Sequence, residues 1–267
     1  MNPNNSSKPA RIVAIANQKG GVGKTTTCVN LAAAFARMKF PVLLIDLDPQ
    51  GNATTGCGID PRRLHMSSCE VLLGERTPEE SILRPEGLEF DLLPANGDLT
   101  AAEIALLQME RREFVLKEAL QPLLSKYTWI FIDCPPSLNM LTLNALGAAN
   151  SVLIPMQCEY YALEGLTGLL NTIEQLRASI NPGLEIEGLL RTMYDGRNNL
   201  AQAVSDQLIE NFGERVYRTL IPRNIRVAEA PSYGMPVLLY DPRSKGAVAH
   251  VALAGEMLRR HEKRQIA

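Results

Sequence analysis

The 267-residue sequence predicts an α/β fold: a single doubly wound, mostly parallel sheet flanked by helices. Three observations lead there. Short apolar runs without polar alternation recur along the chain, as expected of parallel strands buried on both faces. Segments of helical period lie between them. The first apolar run, Ile12-Val13-Ala14-Ile15-Ala16, leads into Lys19-Gly20-Gly21-Val22-Gly23-Lys24-Thr25-Thr26 and then into a helical segment from Cys28 to Ala36. Strand, glycine loop, lysine, threonine and helix follow in the order that a phosphate-binding loop requires.

Each residue type in that loop has a task. Gly20, Gly21 and Gly23 have no Cβ, so the backbone can turn with positive φ and bring its N–H groups together on phosphate oxygens. A helix beginning near Lys24 turns its positive end toward the same anion. Lys24 can reach the β- and γ-phosphates, and the Thr25 hydroxyl can ligate Mg²⁺, with Thr26 completing the ATP-binding stretch. An ordinary glycine-rich turn with one solvated lysine would not require the Gly-Lys-Thr ending or both flanks. Lys19 is extra: a plain phosphate loop needs no charge at its front.

The second strand, Val42 to Leu47, runs into Asp48-Pro49-Gln50-Gly51-Asn52, where proline and glycine stop it. Asp48 therefore stands at the carboxyl end of a strand, where α/β folds place their ligand sites. Asp46 lies further in and reads as a satisfied structural carboxylate. Ser67-Ser68-Cys69-Glu70 and Thr77-Pro78-Glu79-Glu80 carry the spacing of capped helix starts. A strand is expected over 88–94, and helical period over 101–124 with a break near 109–112.

Trp129-Ile130-Phe131-Ile132-Asp133-Cys134-Pro135-Pro136 is the next strong signal. An apolar run ending in aspartate is a Walker B pattern; a helix cap would explain it alone, but a phosphate loop upstream makes Asp133 a Mg²⁺ ligand. The two prolines fix the backbone and remove donors, which suits a segment that responds to the γ-phosphate. Further strands are expected at 151–155, 184–190 and 216–222, with helices at 163–180, 199–212 and 247–260 and a short apolar stretch at 237–240. No repeat or linker interrupts the series. Residues 11–267 are expected to form one P-loop ATPase domain behind a disordered tail, residues 1–10.

Composition narrows the classes. An apolar fraction of 46% supports a sizeable core. No run is long enough to span a membrane, and the polar N-terminus lacks a signal-peptide core, so a cytoplasmic protein is expected. The five cysteines, at 28, 57, 69, 134 and 158, form no Cys-x-x-Cys pair and read as reduced, buried residues. A net charge of −2 argues nothing for nucleic acid, but its distribution is uneven: residues 181–267 hold 12 Lys/Arg against 10 Asp/Glu, and the rest 15 against 19. A local basic face is compatible with that balance, as is a plainly solvated surface.

Lys-Gly-Gly-Val-Gly-Lys-Thr resembles the deviant Walker A motif of the ParA/MinD family of ATPases. Asp46-Leu47-Asp48-Pro49-Gln50-Gly51-Asn52 is similar to that family's switch I, and Ile132-Asp133-Cys134-Pro135-Pro136-Ser137 to its Walker B and switch II. Arg191-Thr192-Met193-Tyr194-Asp195, Ile221-Pro222-Arg223-Asn224-Ile225-Arg226, and Glu229-Ala230-Pro231-Ser232 followed by Gly234 resemble later blocks of its chromosomal ParA (Soj) branch. The likeness covers nearly the whole chain. It implies an ATP-sandwich homodimer in which Lys19 reaches the phosphates of the partner's nucleotide. It also implies Mg²⁺ held by Thr25, Asp48 and Asp133, with Asp48 orienting the attacking water. Pro222 and Asn224 would lie beside the adenine, with Met193 near it. Non-specific double-stranded DNA would be bound in the region of Arg197, Arg223, Arg226, Arg243 and Lys245, each of which also reads as an ordinary exposed charge. A ParB-type centromere-binding partner would stimulate hydrolysis, giving a DNA partition ATPase on the bacterial nucleoid.

Two departures from relatives in the wider family shape the expectation. The short tail cannot hold the additional DNA-reading domain of larger plasmid ParA proteins, so operator binding is not expected. The end, Arg259 to Ala267, shows no apolar face of any length, unlike the membrane helix that closes MinD proteins. A MinD-like membrane-associated ATPase is thus the first alternative. An electron-transfer ATPase like the nitrogenase iron protein is the second; it would need paired cysteines for an iron–sulfur cluster, and Cys134 is the one provocative candidate. A metabolic P-loop ligase or kinase would be the third, though no substrate pocket is evident.

Overall fold

The computed structural model describes residues 9–160 and 162–266; residues 1–8 of the expected tail lie outside the described residues. Along the chain run β1 (Arg11–Ile15), α1 (Lys24–Arg37), β2 (Val42–Asp46), α2 (Asn52–Gly56), α3 (Ser68–Leu72), α4 (Pro78–Ser81), β3 (Asp91–Leu93), α5 (Leu99–Leu106), α6 (Val115–Ala119) and β4 (Trp129–Asp133). There follow α7 (Met140–Ala148), β5 (Ser151–Gln157), α8 (Ala162–Ser179), β6 (Glu185–Thr192), α9 (Asn199–Phe212), α10 (Ile225–Glu229), α11 (Val237–Tyr240) and α12 (Lys245–Ile266).

The six strands form one parallel sheet in the order β3-β2-β4-β1-β5-β6. Its faces explain why the strands read as unbroken apolar runs. Ile12 and Ala14 of β1, and Leu43 and Ile45 of β2, point into one core beneath α3, α5, α6, α7, α8 and α9. Val13 and Ile15, and Val42 and Leu44, point into the other, beneath α1, α11 and α12. Successive side chains alternate between faces, and both faces are covered, so a polar side chain there is costly unless it is paired. β1 lies between β4 and β5 although the chain passes to β2 and β3 first. The strand order reverses there, and the carboxyl ends open a crevice.

Local signals act as expected at the two capped starts. Ser67 and Glu70, and Thr77 and Glu80, form complete capping boxes. The expected strand over 88–94 shortens to Asp91–Leu93. The last helix runs further than 247–260, reaching Ile266.

The strand expected over 216–222 does not form. Two single bridges, Leu189 to Val216 and Tyr194 to Pro222, and a bond from the Ile221 N–H to the Arg191 carbonyl at 2.9 Å tie this segment to the sheet edge without a continuous ladder. Side chains take up its backbone instead. The Arg191 guanidinium donates to the carbonyls of Tyr217 (2.8 Å) and Arg218 (3.2 Å). The Glu256 carboxylate accepts from the N–H groups of Arg218 (2.9 Å) and Thr219 (2.8 Å). Groups satisfied by side chains have no need of a ladder.

Candidate nucleotide-binding site

The loop between β1 and α1 leaves the sheet at its reversal point. Gly21 and Gly23 take left-handed φ of 71° and 87°, open to glycine at no steric cost. α1 starts with no side-chain cap and no acidic residue in its first turn. Its leading N–H groups are thereby left for an anion, with the positive end of the helix behind them. The far strands hold the loop from below: Thr192 Oγ1 donates to the buried Val22 carbonyl at 2.7 Å, and Gln157 Nε2 to the Gly21 carbonyl at 3.2 Å. No local pattern signals either contact, because each partner lies on a distant strand.

Lys24 is 6% exposed and donates from Nζ to the Lys19 carbonyl at 3.1 Å, bracing the loop across its mouth. Burial lowers its pKa, while Asp133 and Asp48 oppose that shift. Asp46 and Asp133 are paired in register at the ends of β2 and β4, yet their surroundings differ. Asp46 accepts from the Thr54 N–H and hydroxyl, both at 2.8 Å, and from the Asp48 N–H at 3.1 Å. It is the structural carboxylate that its inner position suggests. Asp133 is fully buried and both of its oxygens lack a hydrogen-bond partner among the described residues. Burial pushes its pKa well up and the Asp46 charge pushes it further; the Thr25 hydroxyl and Lys24 oppose the rise without completing a hydrogen bond.

A buried, unpaired carboxylate is costly unless something joins it. Beside Thr25, with Asp48 at the mouth, it fits a hard divalent cation. No group of three His, Cys, Asp or Glu that could hold a metal occurs among the described residues. A sparse oxygen donor set suits Mg²⁺, which keeps waters and shares substrate phosphates rather than sitting in an all-protein cage.

Lys24, Thr25 and Asp48 line one cleft of about 460 Å³; the buried Asp46 and Asp133 are not among its lining residues. Gly20, Gly21, Gly23, Lys24, Thr25, Thr26 and Asp48 supply its polar end, and Pro136 also borders it. The opposite wall is apolar, built from Val227, Ala230, Pro231, Met235, Pro236 and Val237. A cationic end and a flat apolar wall suit a phosphorylated heterocycle. Met193, at a left-handed φ of 49°, lines the cleft. Pro222 and Asn224 are not among the lining residues. The Asn224 side chain accepts from the Val227 N–H at 3.2 Å, caps α10 and so positions a residue that is. The blocks at 221–226 and 229–234 point to this region, but that Val227, Ala230, Pro231, Met235, Pro236 and Val237 share one wall depends on how the short turns of 225–240 fold back on the loop.

Lys19 stands at the rim, about half exposed, and its ammonium pairs with the equally exposed Glu159 carboxylate just past β5. Of the five basic residues singled out in the sequence, Arg197 pairs with Asp195 at 2.7 Å and Arg226 with Glu229 at 2.9 Å. Arg223, Arg243 and Lys245 are exposed and make no ion pair with the described residues. All five cysteines are buried and free. Cys134 is 1% exposed, so its sulfur does not lie on a face where a second copy could share an iron–sulfur cluster with it.

Fold and site together define a P-loop nucleotide-binding α/β protein. A family profile described as an AAA domain matches residues 10–186. The chromosome partitioning protein ParA of Caulobacter vibrioides is 50% identical over 97% of this chain and 98% of its own length. The chromosome-partitioning ATPase Soj of Thermus thermophilus is 51% identical over 94% and 96%. Among solved structures, cobyrinic acid a,c-diamide synthase from Mycobacterium smegmatis with bound ATP analog and magnesium is 40% identical. It covers 95% of this chain and 96% of its own, with a TM-score of 0.84. The chain belongs to the ParA/Soj family, within the AAA-domain proteins.

Proposed function

We propose that this chain is a DNA segregation ATPase that binds Mg²⁺-ATP as a sandwich dimer, grips DNA without sequence preference, and lets go when a ParB-type partner triggers hydrolysis. The observation that carries the reading is Asp133: a buried carboxylate with two orphaned oxygens, whose electrostatic neighbours Thr25 and Lys24 line the cleft at an uncapped helix start. The partition names are carried by relatives at 50% and 51% identity, above the 40% of the mycobacterial synthase, and this favours partition over metabolic amide formation.

In this reading residues 11–267 act as one ATPase domain. The N–H groups of the 20–25 loop and Lys24 hold the phosphates. Thr25, Asp133 and Asp48 hold Mg²⁺, which when bound neutralises charge on the β- and γ-phosphate oxygens. Asp48 orients the attacking water. Lys19 exchanges Glu159 for the triphosphate of a second copy; an exposed ion pair contributes only about 0–1 kcal/mol, so little opposes the exchange. ADP offers Lys19 less charge, so ATP shifts the equilibrium toward the dimer. Dimerisation doubles the surface bearing Arg197, Arg223, Arg226, Arg243 and Lys245, and DNA affinity follows nucleotide state. Hydrolysis is slow until the partner orders the segments 46–52 and 133–137, as activators do for GTPases. Among the described residues no helix is long and apolar enough to cross a membrane.

ATP turnover measured alone, with duplex DNA, with a ParB-type N-terminal peptide, and with both tests this reading. The rate should rise most with both, and Asp48→Ala should hold a long-lived ATP dimer on DNA. Equal rates in all four conditions, or rapid turnover by Asp48→Ala, would contradict it.

A further inference from the structure

Residues 181–267 carry twelve Lys/Arg. Five are those assigned above to DNA. The other seven converge on a separate cleft of about 840 Å³, between the segment that follows α9 and the C-terminal half of α12. Two carboxylates, Glu214 and Glu256, accompany them. Glu256 is already spent on the N–H groups of Arg218 and Thr219 and on Arg260, which it meets at 2.8 Å.

The seven cations divide by what they touch. Arg191 is built into the wall, holding the Tyr217 and Arg218 carbonyls. Arg260 lies over the Tyr217 ring, 4.0 Å from its centre, and Arg264 pairs with the buried Glu187 at 3.0 Å. Arg215, Arg218, Arg259 and Lys263 are exposed and make no ion pair among the described residues. Favourable interaction with a helix C-terminus accounts for Lys263. It does not account for Arg215 and Arg218, which come from a different segment. Gathering unpaired like charges in one concavity is unfavourable until a polyanion fills it.

The cleft also has a definite place. α9 packs on one face of the sheet and α12 on the other, with the open edge beyond β6 between them. Arg197 lies just before α9, and Arg243 and Lys245 lie at the start of α12. The opposite ends of both helices bound the cleft. α9 has 14 residues, so the two basic sets stand about 21 Å apart along the same edge. A duplex carries a charge every ~1.7 Å of its axis and can meet both sets. Three of the four unpaired cations are arginines, whose planar fork matches phosphate oxygens.

We propose that this cleft is a second contact for the phosphate backbone of duplex DNA. It would extend each subunit's grip from the nucleotide end of the sheet edge to the opposite end. The proposal rests on the DNA-binding reading above and adds Arg215, Arg218, Arg259 and Lys263 to it.

The test is fluorescence anisotropy of a mixed-sequence duplex, with Mg²⁺ and a non-hydrolysable ATP analogue, across a salt titration. Wild type is compared with R215Q/R218Q/R259Q/K263Q and with R197Q/R226Q, with dimer formation followed by light scattering. The cleft variant should still dimerise. The slope of log K against log salt should lose about 0.9 for each lost phosphate contact, or about 3.6 per subunit for all four, and affinity should fall about tenfold or more. If the fourfold variant fails to fold, Arg215→Gln and Lys263→Gln should each lower the slope by about 0.9. A wild type that binds DNA and cleft variants with unchanged slopes would overturn the cleft and leave the proposed function standing. Wild type that binds no DNA with the analogue would overturn both. An unchanged slope with retention of polyglutamate by wild type alone would reassign the cleft to an acidic protein partner and so overturn the proposal.

Discussion

Asp133→Asn separates a metal ligand from a merely structural carboxylate. The wild-type side chain is 0% exposed with neither oxygen paired, and a carboxylate so placed costs several kcal/mol after relaxation. Lys24 and Thr25 return part of that. Asparagine is nearly isosteric and uncharged, but its buried amide costs about 1–3 kcal/mol where it finds no partner. The balance favours the ligand-free variant by about 2 kcal/mol, or roughly 4–8 °C in Tm for a chain of this size. The pH dependence has a definite sign. Burial, then Asp46, raises the Asp133 pKa. Between the ordinary carboxylate range and that raised value, the folded protein binds the proton that the unfolded chain has lost. Wild-type stability therefore falls as pH rises through this window, the variant lacks this contribution, and the gap widens as pH rises above the ordinary carboxylate range. Scanning calorimetry of the ligand-free proteins, repeated with Mg²⁺ and a non-hydrolysable analogue, reads both effects. Wild type should gain Tm from Mg²⁺ beyond the gain from nucleotide alone; the variant should not, and its ATP turnover should fall by about two orders of magnitude or more. A variant that is less stable than wild type without ligand and gains equally from Mg²⁺ would refute the assignment.

Two further substitutions probe the frame around the site. Glu187 is buried and meets Arg11 at 2.7 Å, Arg264 at 3.0 Å and the Ser151 hydroxyl at 2.8 Å. Burial would raise its pKa, but Arg11 first and then Arg264 outweigh burial and leave it below the ordinary value. It therefore stabilises the fold above about pH 4.5, and the gain disappears as pH falls through its lower folded value. Glu187→Gln should cost about 3 kcal/mol by urea unfolding at neutral pH, with the gap closing below about pH 4; an equal loss at both would count against the network. Gly234 has φ of 65°, and a Cβ there would stand 2.6 Å from the Gly58 Cα. Gly234→Ala should cost about 2 kcal/mol and weaken nucleotide binding by displacing Met235 and Pro236; an unchanged Tm and nucleotide affinity would show that the apolar wall does not depend on this contact.

Much of the fold and the polar end of the site was legible because both follow from local chemistry. Parallel strands buried on two faces are apolar over most of their length, so β1, β2, β4 and β5 stand out. Asp46 and Asp48 were told apart by depth along one strand, and the capping boxes at Ser67 and Thr77 depend only on spacing. What remained hidden depends on distant partners. The segment 216–222 reads as a strand because β-branched, aromatic and aliphatic residues dominate it, yet Arg191 and Glu256 claim its backbone. The apolar wall of the cleft comes from one-turn helices whose residues gain meaning only opposite the loop. The carboxylate that holds Lys19, Glu159, lies 140 positions away. The C-terminal charge excess gave no hint that its cations sort into two groups at opposite ends of α9 and α12. α12 outruns its apolar period because its last turns are fixed by Arg260 on Tyr217, His261 on Trp129 and Arg264 on Glu187.

The account depends most on a cleft that one copy of the chain leaves open and a second copy closes through Lys19. Light scattering of wild type and Lys19→Ala, each with Mg²⁺ and a non-hydrolysable ATP analogue or with ADP, measures this directly. Wild type should scatter as two chains with the analogue and as one with ADP, while Lys19→Ala binds the analogue yet stays a single chain. A Lys19→Ala protein that pairs as readily as wild type would contradict it.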